Sequence, residues 1–130
     1  MATWDDVRRL VAELPETAEG TSHGTMAWKV KGKLMVWERP LRAADHAALG
    51  DAAPDGEILG AAVGDEGVKH ALIADRPDVY FTTPHFDGYA AVLVRLDAIR
   101  GDELEELITE AWLVKAPKRM AAAFLTDRDG

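Results

Sequence analysis

Apolar residues recur at helical spacing near both ends of the chain. The segments between these ends show the alternation of apolar and polar residues that is typical of short β-strands. Residues 3–14 carry apolar side chains at helical spacing, with Thr3 as a candidate N-cap and Pro15 as the stop. The last third repeats the pattern: Asp102 is predicted to cap a helix with an apolar stripe, and residues 118–125 to form a further helix or a kinked continuation. Strands enclosed by helices, rather than strictly alternating with them, are typical of α+β domains.

The middle of the chain predicts an antiparallel sheet. A hairpin is indicated by two alternating segments, residues 25–30 and 34–37, joined by Lys31-Gly32-Lys33, because glycine can take the positive φ of a tight turn. The remaining predicted elements are a polar, glycine-bearing connection at 16–24, a short helix at 41–49, and strands at 58–63, 68–73, 79–82 and 89–96. We therefore predict one two-layer α+β domain over residues 1–130, with helices packed mainly on one face of the sheet.

The sequence lacks the residues that several kinds of catalytic and metal-binding site require. The 130 residues include no cysteine, which excludes disulfides, thiolate nucleophiles and cysteine-ligated metals. Ser22 is the only serine, the four histidines do not have the spacing of a helical metal site, and no phosphate-binding glycine loop occurs. We predict no catalytic residue, no metal site and no cofactor. Without a signal peptide or a long apolar run, a cytoplasmic location and no membrane partner are expected.

The formal net charge of −8 is distributed unevenly along the chain. Residues 26–42 hold five basic residues against one acidic residue, and residues 112–119 hold three basic residues and no acidic one, whereas residues 43–67 hold six acidic residues and no basic one. Lysines near a hairpin tip can meet the phosphates of a nucleic acid. This pattern leads to a first hypothesis of weak, salt-sensitive DNA binding through Lys29, Lys31, Lys33, Lys115, Lys118 and Arg119. The alternative is that the hairpin tip is a solvated turn and that Trp28 and Trp37 are core or sheet-face residues.

A second hypothesis is a module that binds a small molecule or a protein. His85, Asp87 and Tyr89 occupy one predicted turn, and Trp28 would supply an aromatic wall, with two further tryptophans near by in Trp37 and Trp112. Mostly apolar surroundings with a few polar anchors are typical of ligand sites. The alternative for the turn itself is purely structural, with Asp87 capping backbone amides ahead of Gly88.

Several segments taken together resemble the MmcQ/YjbR-like family over nearly the whole chain. They are Leu-Pro-Glu-Thr at 14–17, His23-Gly24, the hairpin at 28–35, Thr-Pro-His-Phe-Asp-Gly-Tyr at 83–89, residues 92–96, Glu-Ala-Trp at 110–112 and Ala-Pro-Lys-Arg at 116–119. The resemblance implies a single two-layer α+β domain without established catalytic residues. It also implies DNA binding by a double-wing arrangement, for which the matching positions are Lys29, Lys31, Lys33, Lys118 and Arg119. The oligomeric state is left open.

Overall fold

A computed structural model of the chain describes residues 2–129, and side chains for residues 2–127. Within that range five α-helices flank one six-stranded sheet. The helices are α1 (Trp4–Ala12), α2 (Ala43–Leu49), α3 (Glu66–Asp75), α4 (Gly101–Lys115) and α5 (Lys118–Asp129). The strands are β1 (Thr17–Ser22), β2 (Thr25–Val30), β3 (Lys33–Glu38), β4 (Ile58–Ala62), β5 (Tyr80–Phe81) and β6 (Ala91–Arg95). Two short 3-10 turns lie at Gly50–Ala52 and Pro84–Phe86.

The sheet is antiparallel throughout, with strand order β1-β2-β3-β4-β6-β5. The predicted α+β class is therefore confirmed, as is the hairpin between β2 and β3. Thr3 is the N-cap of α1 as predicted: its hydroxyl accepts from the Asp6 N–H, and the Asp6 carboxylate accepts from the Thr3 N–H at 2.9 Å. No helix among residues 2–129 has both the length and the apolar character needed to cross a membrane.

The main core lies on one face of the sheet, which we call the helix face. Its strand residues include Trp28, Val36 and Val94, and α1 and α4 cover them with side chains such as Val7 and Leu104. Leu72 and Ile73 of α3, and Met120 and Phe124 of α5, pack against the edge of the same cluster. The prediction that helices pack mainly on one face is confirmed.

The opposite face, which we call the second face, is only partly covered. A small cluster of Ile58, Phe81 and Leu93 packs there against Leu41 and Leu49 from the α2 region and against Phe86. Trp37 is on the same face, because its partner across the ladder is Gly60 and the partner of Gly60 is Leu93. The second face therefore keeps open surface beside β2 and β3.

The predicted strand at 68–73 is wrong, because these residues lie within α3. Asp65 begins this helix as its N-cap, with its carboxylate accepting from the Val68 N–H at 2.9 Å. Apolar Val68, Leu72 and Ile73 can be arranged on a helix as well as on a strand, so a short apolar run does not decide between the two.

Two other expectations also differ from the structure. The connection predicted at 16–24 contains strand β1, whose side chains are half-buried or exposed and therefore show no apolar alternation. Backbone pairing with β2 alone defines this edge strand. Arg100, rather than Asp102, holds the N-cap position of α4, and the last helix continues to Asp129 rather than residue 125.

Candidate nucleic-acid interface and ligand grooves

The β2–β3 turn presents lysines to solvent. Lys31 and Gly32 have φ values of 50° and 80°, the positive values that a two-residue turn of type I′ requires. Lys29, Lys31 and Lys33 are all exposed. Lys31 Nζ lies 3.9 Å from the Glu16 carboxylate, but both side chains are about half exposed, so this ion pair is weak.

The second group of cations lies where α4 gives way to α5. Lys115 is half-buried at the end of α4, and Lys118 and Arg119 are exposed in the first turn of α5. Ala116 and Pro117 separate the two helices; Ala116 is buried in the main core.

Two hydrogen bonds bring both groups to one end of the molecule. The Lys31 N–H donates to the carbonyl of Glu16 at 3.2 Å, and the indole N–H of Trp112 donates to the carbonyl of Pro15 at 2.9 Å. Because Pro15 and Glu16 are adjacent, the hairpin turn and the last turns of α4 meet at the same loop. We call this end of the molecule the basic end; its residues are Lys29, Lys31, Lys33, Lys115, Lys118 and Arg119. Lys29 projects from the second face, because its neighbours Trp28 and Val30 both lie in the helix-face core.

Most of the acidic segment lies at the other end of the sheet. Glu38 at the end of β3 pairs with Leu59 at the start of β4, so the acids that precede β4, including Asp55 and Glu57, lie away from the hairpin turn. Asp65 and Glu66 are the exceptions, since they follow β4 and begin α3. The lysines of the hairpin turn and the acids at residues 51–57 thus lie at opposite ends of the sheet.

A buried lysine organises the turn that carries His85, Asp87 and Tyr89. Lys69 of α3 is 1% exposed, and its Nζ donates to the carbonyls of Phe86 at 2.7 Å and Tyr89 at 3.2 Å. The sequence pattern does not single out Lys69, because the apolar run around it predicts a strand; the available signal is a single lysine inside that run. His85, Asp87 and Tyr89 are exposed, Tyr89 at 62%.

Trp28 does not join that turn. It is 1% exposed on the helix face, stacks on Trp4 with ring centroids 6.1 Å apart, and donates its indole N–H to Glu19 at 3.0 Å. The turn lies on the second face, where Phe86 packs, so the sheet separates Trp28 from His85. Trp112 is likewise fully buried in the main core.

The tryptophan that does lie near the turn is Trp37. A wide groove of about 570 Å³ on the second face is lined by residues that include His23, Trp37, Arg42 and His85. His85 packs edge-on against Phe86, with centroids 4.9 Å apart. We call this the second-face groove.

A buried ion pair borders the second-face groove. Arg39 and Asp45 are 7% and 3% exposed, with guanidinium and carboxylate 3.1 Å apart. Burial alone would raise the pKa of the Asp45 carboxyl, but the Arg42 N–H and the Arg39 guanidinium lower that pKa below its ordinary value. Asp45 is therefore a stable anion that fixes the strand end to α2.

A smaller groove of about 310 Å³ lies between α3 and α4. Its lining combines apolar side chains, including Leu72 and Leu107, with Tyr80 and with several acidic side chains. Burial, and next the Glu103 carboxylate, raise the pKa of the Tyr80 hydroxyl above its ordinary value of 10.0, so the phenol stays protonated. We call this the α3–α4 groove.

Metal chemistry has no evident site in the described part of the chain. Among those residues, no three histidine, aspartate or glutamate side chains gather in an arrangement that could hold a metal ion. The candidates for function are therefore the basic end, the second-face groove and the α3–α4 groove.

Comparisons with known proteins identify relatives over almost the full chain. The YjbR family model matches residues 12–114. Two similar proteins, named "Uncharacterized protein Rv2570" of Mycobacterium tuberculosis and "Uncharacterized protein Mb2600" of Mycobacterium bovis, are each 61% identical over 130 residues, which is 98% of this chain and 98% of theirs.

The fold is also similar to that in a crystal structure of Deinococcus radiodurans protein DR2400, which carries a DUF419 domain. The TM-score is 0.66 at 24% identity, and the match covers 88% of this chain and 78% of that one. The resemblance seen in the sequence motifs is confirmed by the family match, and the structural neighbour shares the fold.

Proposed function

The chain belongs to the YjbR family, and we propose that it is a non-enzymatic domain that binds duplex DNA weakly through the basic end. The observation that carries the proposal is the meeting of the hairpin turn and the end of α4 at Pro15 and Glu16. Each of these two groups alone offers three cations, whereas the cations of both groups at one end of the molecule can contact several phosphates.

The charge of the whole molecule limits the affinity. The net charge of −8 repels a polyanion at long range, so attraction depends on how the basic end is oriented. Binding releases condensed counterions, with a slope of log K against log salt of roughly −0.9 per phosphate neutralised. We therefore expect binding at low salt that largely disappears at physiological ionic strength.

Fluorescence anisotropy with labelled duplex DNA at two or more salt concentrations tests the proposal. Lys33→Gln should weaken binding about threefold at low salt and make the salt slope shallower by about one, because one phosphate contact is removed. Lys118→Gln combined with Arg119→Gln should have a larger effect of the same kind.

Arg100→Gln is the matched control, since it removes one exposed positive charge at the start of α4, away from the basic end. Equal weakening by Lys33→Gln and Arg100→Gln would show a response to net charge alone and reject the interface. The absence of binding at low salt would reject DNA binding itself.

The second-face groove supports a second candidate function, the binding of a small molecule. The supporting observation is that buried Lys69 holds the 84–89 turn by two carbonyls, so that His85 borders the same groove as Trp37. A fragment screen followed by NMR tests it, with the Trp37 indole N–H as the expected reporter and the buried Trp112 indole as the internal control. Fragments that shift neither Trp37 nor His85 would remove this candidate.

A further inference from the structure

The α3–α4 groove contains a tyrosine whose hydroxyl has no protein partner. The Tyr80 side chain is 5% exposed, and no described side chain or backbone group exchanges a hydrogen bond with its hydroxyl. The charged groups that act on this hydroxyl are Glu103, Arg76, Glu106 and Asp75, all of which line the groove. Tyr80 itself lines the groove, so its hydroxyl can exchange a hydrogen bond with a bound group.

The apolar side chains of the groove are partly exposed. Val68 on α3 and Val114 on α4 are 44% and 39% exposed, whereas Leu107 between them is buried. The volume of about 310 Å³ is at the lower limit of typical small-molecule sites. An occupant with an apolar body would cover these side chains and gain the corresponding hydrophobic free energy.

The charged side chains at the rim of the α3–α4 groove determine which charge a bound molecule can carry. Four carboxylates and one guanidinium line the groove: Asp75, Glu103, Glu106, Glu110 and Arg76. The guanidinium is already engaged, because Arg76 contacts Glu103 at 2.7 Å and Asp78 at 3.1 Å. Among described residues, Asp75, Glu106 and Glu110 have no ion-pair partner, so the rim keeps a negative field.

We propose that the α3–α4 groove binds a small organic amine, with the apolar body between Leu72 and Leu107 and the ammonium shared by Tyr80 and the carboxylates of Glu106 and Glu110. An ammonium group donates three hydrogen bonds and accepts none. It can therefore donate to the lone pairs of the phenol oxygen and to the rim at the same time. Carboxylate and phosphate ligands are repelled by the same rim.

A second copy of the chain fits this groove poorly. A two-fold symmetric contact would bring the same surface of both copies together, and with it two sets of unpaired carboxylates. A small cation neutralises the rim without that repulsion.

Three ligands that differ only in the terminal group test the proposal: phenylbutylamine, phenylbutanol and phenylbutyrate. NMR titration should show the amine shifting signals of Val68, Leu72, Leu107 and Val114. The amine should bind at least about fivefold more tightly than the alcohol, since one or more charge-assisted hydrogen bonds distinguish them. The carboxylate should not bind.

Three variants locate the binding. Tyr80→Phe should weaken amine binding about fivefold without lowering the melting temperature, because the hydroxyl has no partner in the protein to lose. Glu106→Gln combined with Glu110→Gln should weaken it at least about threefold. Glu105→Gln is the matched control: it lies on the same helix but outside this groove, and binding should stay within about twofold of the unaltered protein.

Several outcomes would overturn the proposal. They are equal binding of amine and alcohol, equal weakening by Glu105→Gln, and the absence of groove shifts at millimolar amine. Binding of a basic amphipathic peptide without binding of the amine would assign the groove to a protein partner instead. Concentration-dependent dimerisation that shifts the same signals would assign it to a second copy.

Discussion

The two faces of the sheet differ in how much of their surface is covered and in the side chains that cover it. The helix face is apolar, with Leu104 and Trp112 of α4 completely buried in its core. The second face buries a much smaller apolar cluster, adds the ion pair of Arg39 and Asp45, and leaves Trp37 half-buried. Stability therefore depends mainly on the helix face. The second face keeps open surface, which includes the second-face groove.

The largest expected difference between the faces comes from deleting one leucine on each. Leu104→Ala on the helix face should lower the free energy of unfolding by about 4 kcal/mol, because a fully buried side chain is removed and a cavity remains. Leu49→Ala on the second face should cost only about 1 kcal/mol, because Leu49 is already partly exposed. Urea denaturation measures both, and equal costs would contradict the proposed division between the faces.

The ion pair is expected to be the strongest single feature of the second face. Asp45→Asn should destabilise the protein by about 3 kcal/mol, because it leaves the Arg39 guanidinium buried without its counter-ion. Asp51→Asn, an exposed acid in the 3-10 turn after α2, is the control and should change stability by less than about 0.5 kcal/mol. A small effect of Asp45→Asn would mean that water or rearrangement solvates Arg39.

The same pair predicts a pH dependence. The pKa of Asp45 in the folded protein is lowered from 3.8, so the unfolded chain takes up this proton first as the pH falls. The stability contributed by Asp45 is therefore complete above pH 3.8 and is lost as the pH falls through the lower folded pKa. The difference in unfolding free energy between the unaltered protein and Asp45→Asn should shrink below that pH; a constant difference would argue against the lowered pKa.

The smallest predicted effect concerns the aromatic side chain of the second face. A Cβ added at Gly60 would lie 2.3 Å from the Trp37 ring, so Gly60→Ala should force the indole to move away. Because Trp37 is already half-exposed it can rotate outward, and the cost should be about 1–2 kcal/mol. Gly20→Ala on β1, where a Cβ meets nothing within 4 Å, is the control.

NMR of the Trp37 indole checks this substitution. Its signal should shift strongly in Gly60→Ala and remain in place in Gly20→Ala. An unshifted Trp37 indole in Gly60→Ala would show that the strand backbone, rather than the ring, absorbs the added methyl.

Most of the fold could be predicted where local patterns had only one interpretation. The helix capped by Thr3 and the hairpin at Lys31-Gly32 have strong signals, since a cap and a positive-φ turn each require particular residues. Strand β1 and helix α3 could not be predicted correctly. An edge strand has few buried side chains to produce alternation, and a short apolar run around Lys69 fits either element.

The candidate functional sites could likewise be predicted from the sequence only in part. The sequence identified the six cations of the basic end, but only the contacts of Pro15 and Glu16 bring the two groups together. Trp28 was a reasonable aromatic neighbour for His85 by composition, yet strand register assigns it to the helix face. The α3–α4 groove was invisible in the sequence, because Tyr80 and Glu106 are distant in the chain and meet only after folding.

The sequence by itself determined the class of fold and the absence of cysteine chemistry, because these depend on residue types and local periodicity. Its motifs also carried the resemblance to the family that the family model matches. The tertiary structure decided which tryptophan faces a groove, that Lys69 is buried, and that the Tyr80 hydroxyl has no hydrogen-bond partner in the described protein. The physical reason is that side-chain partners are chosen by strand register and helix packing, which join residues far apart in the chain. A shift of one residue in register moves a side chain from one face of the sheet to the other.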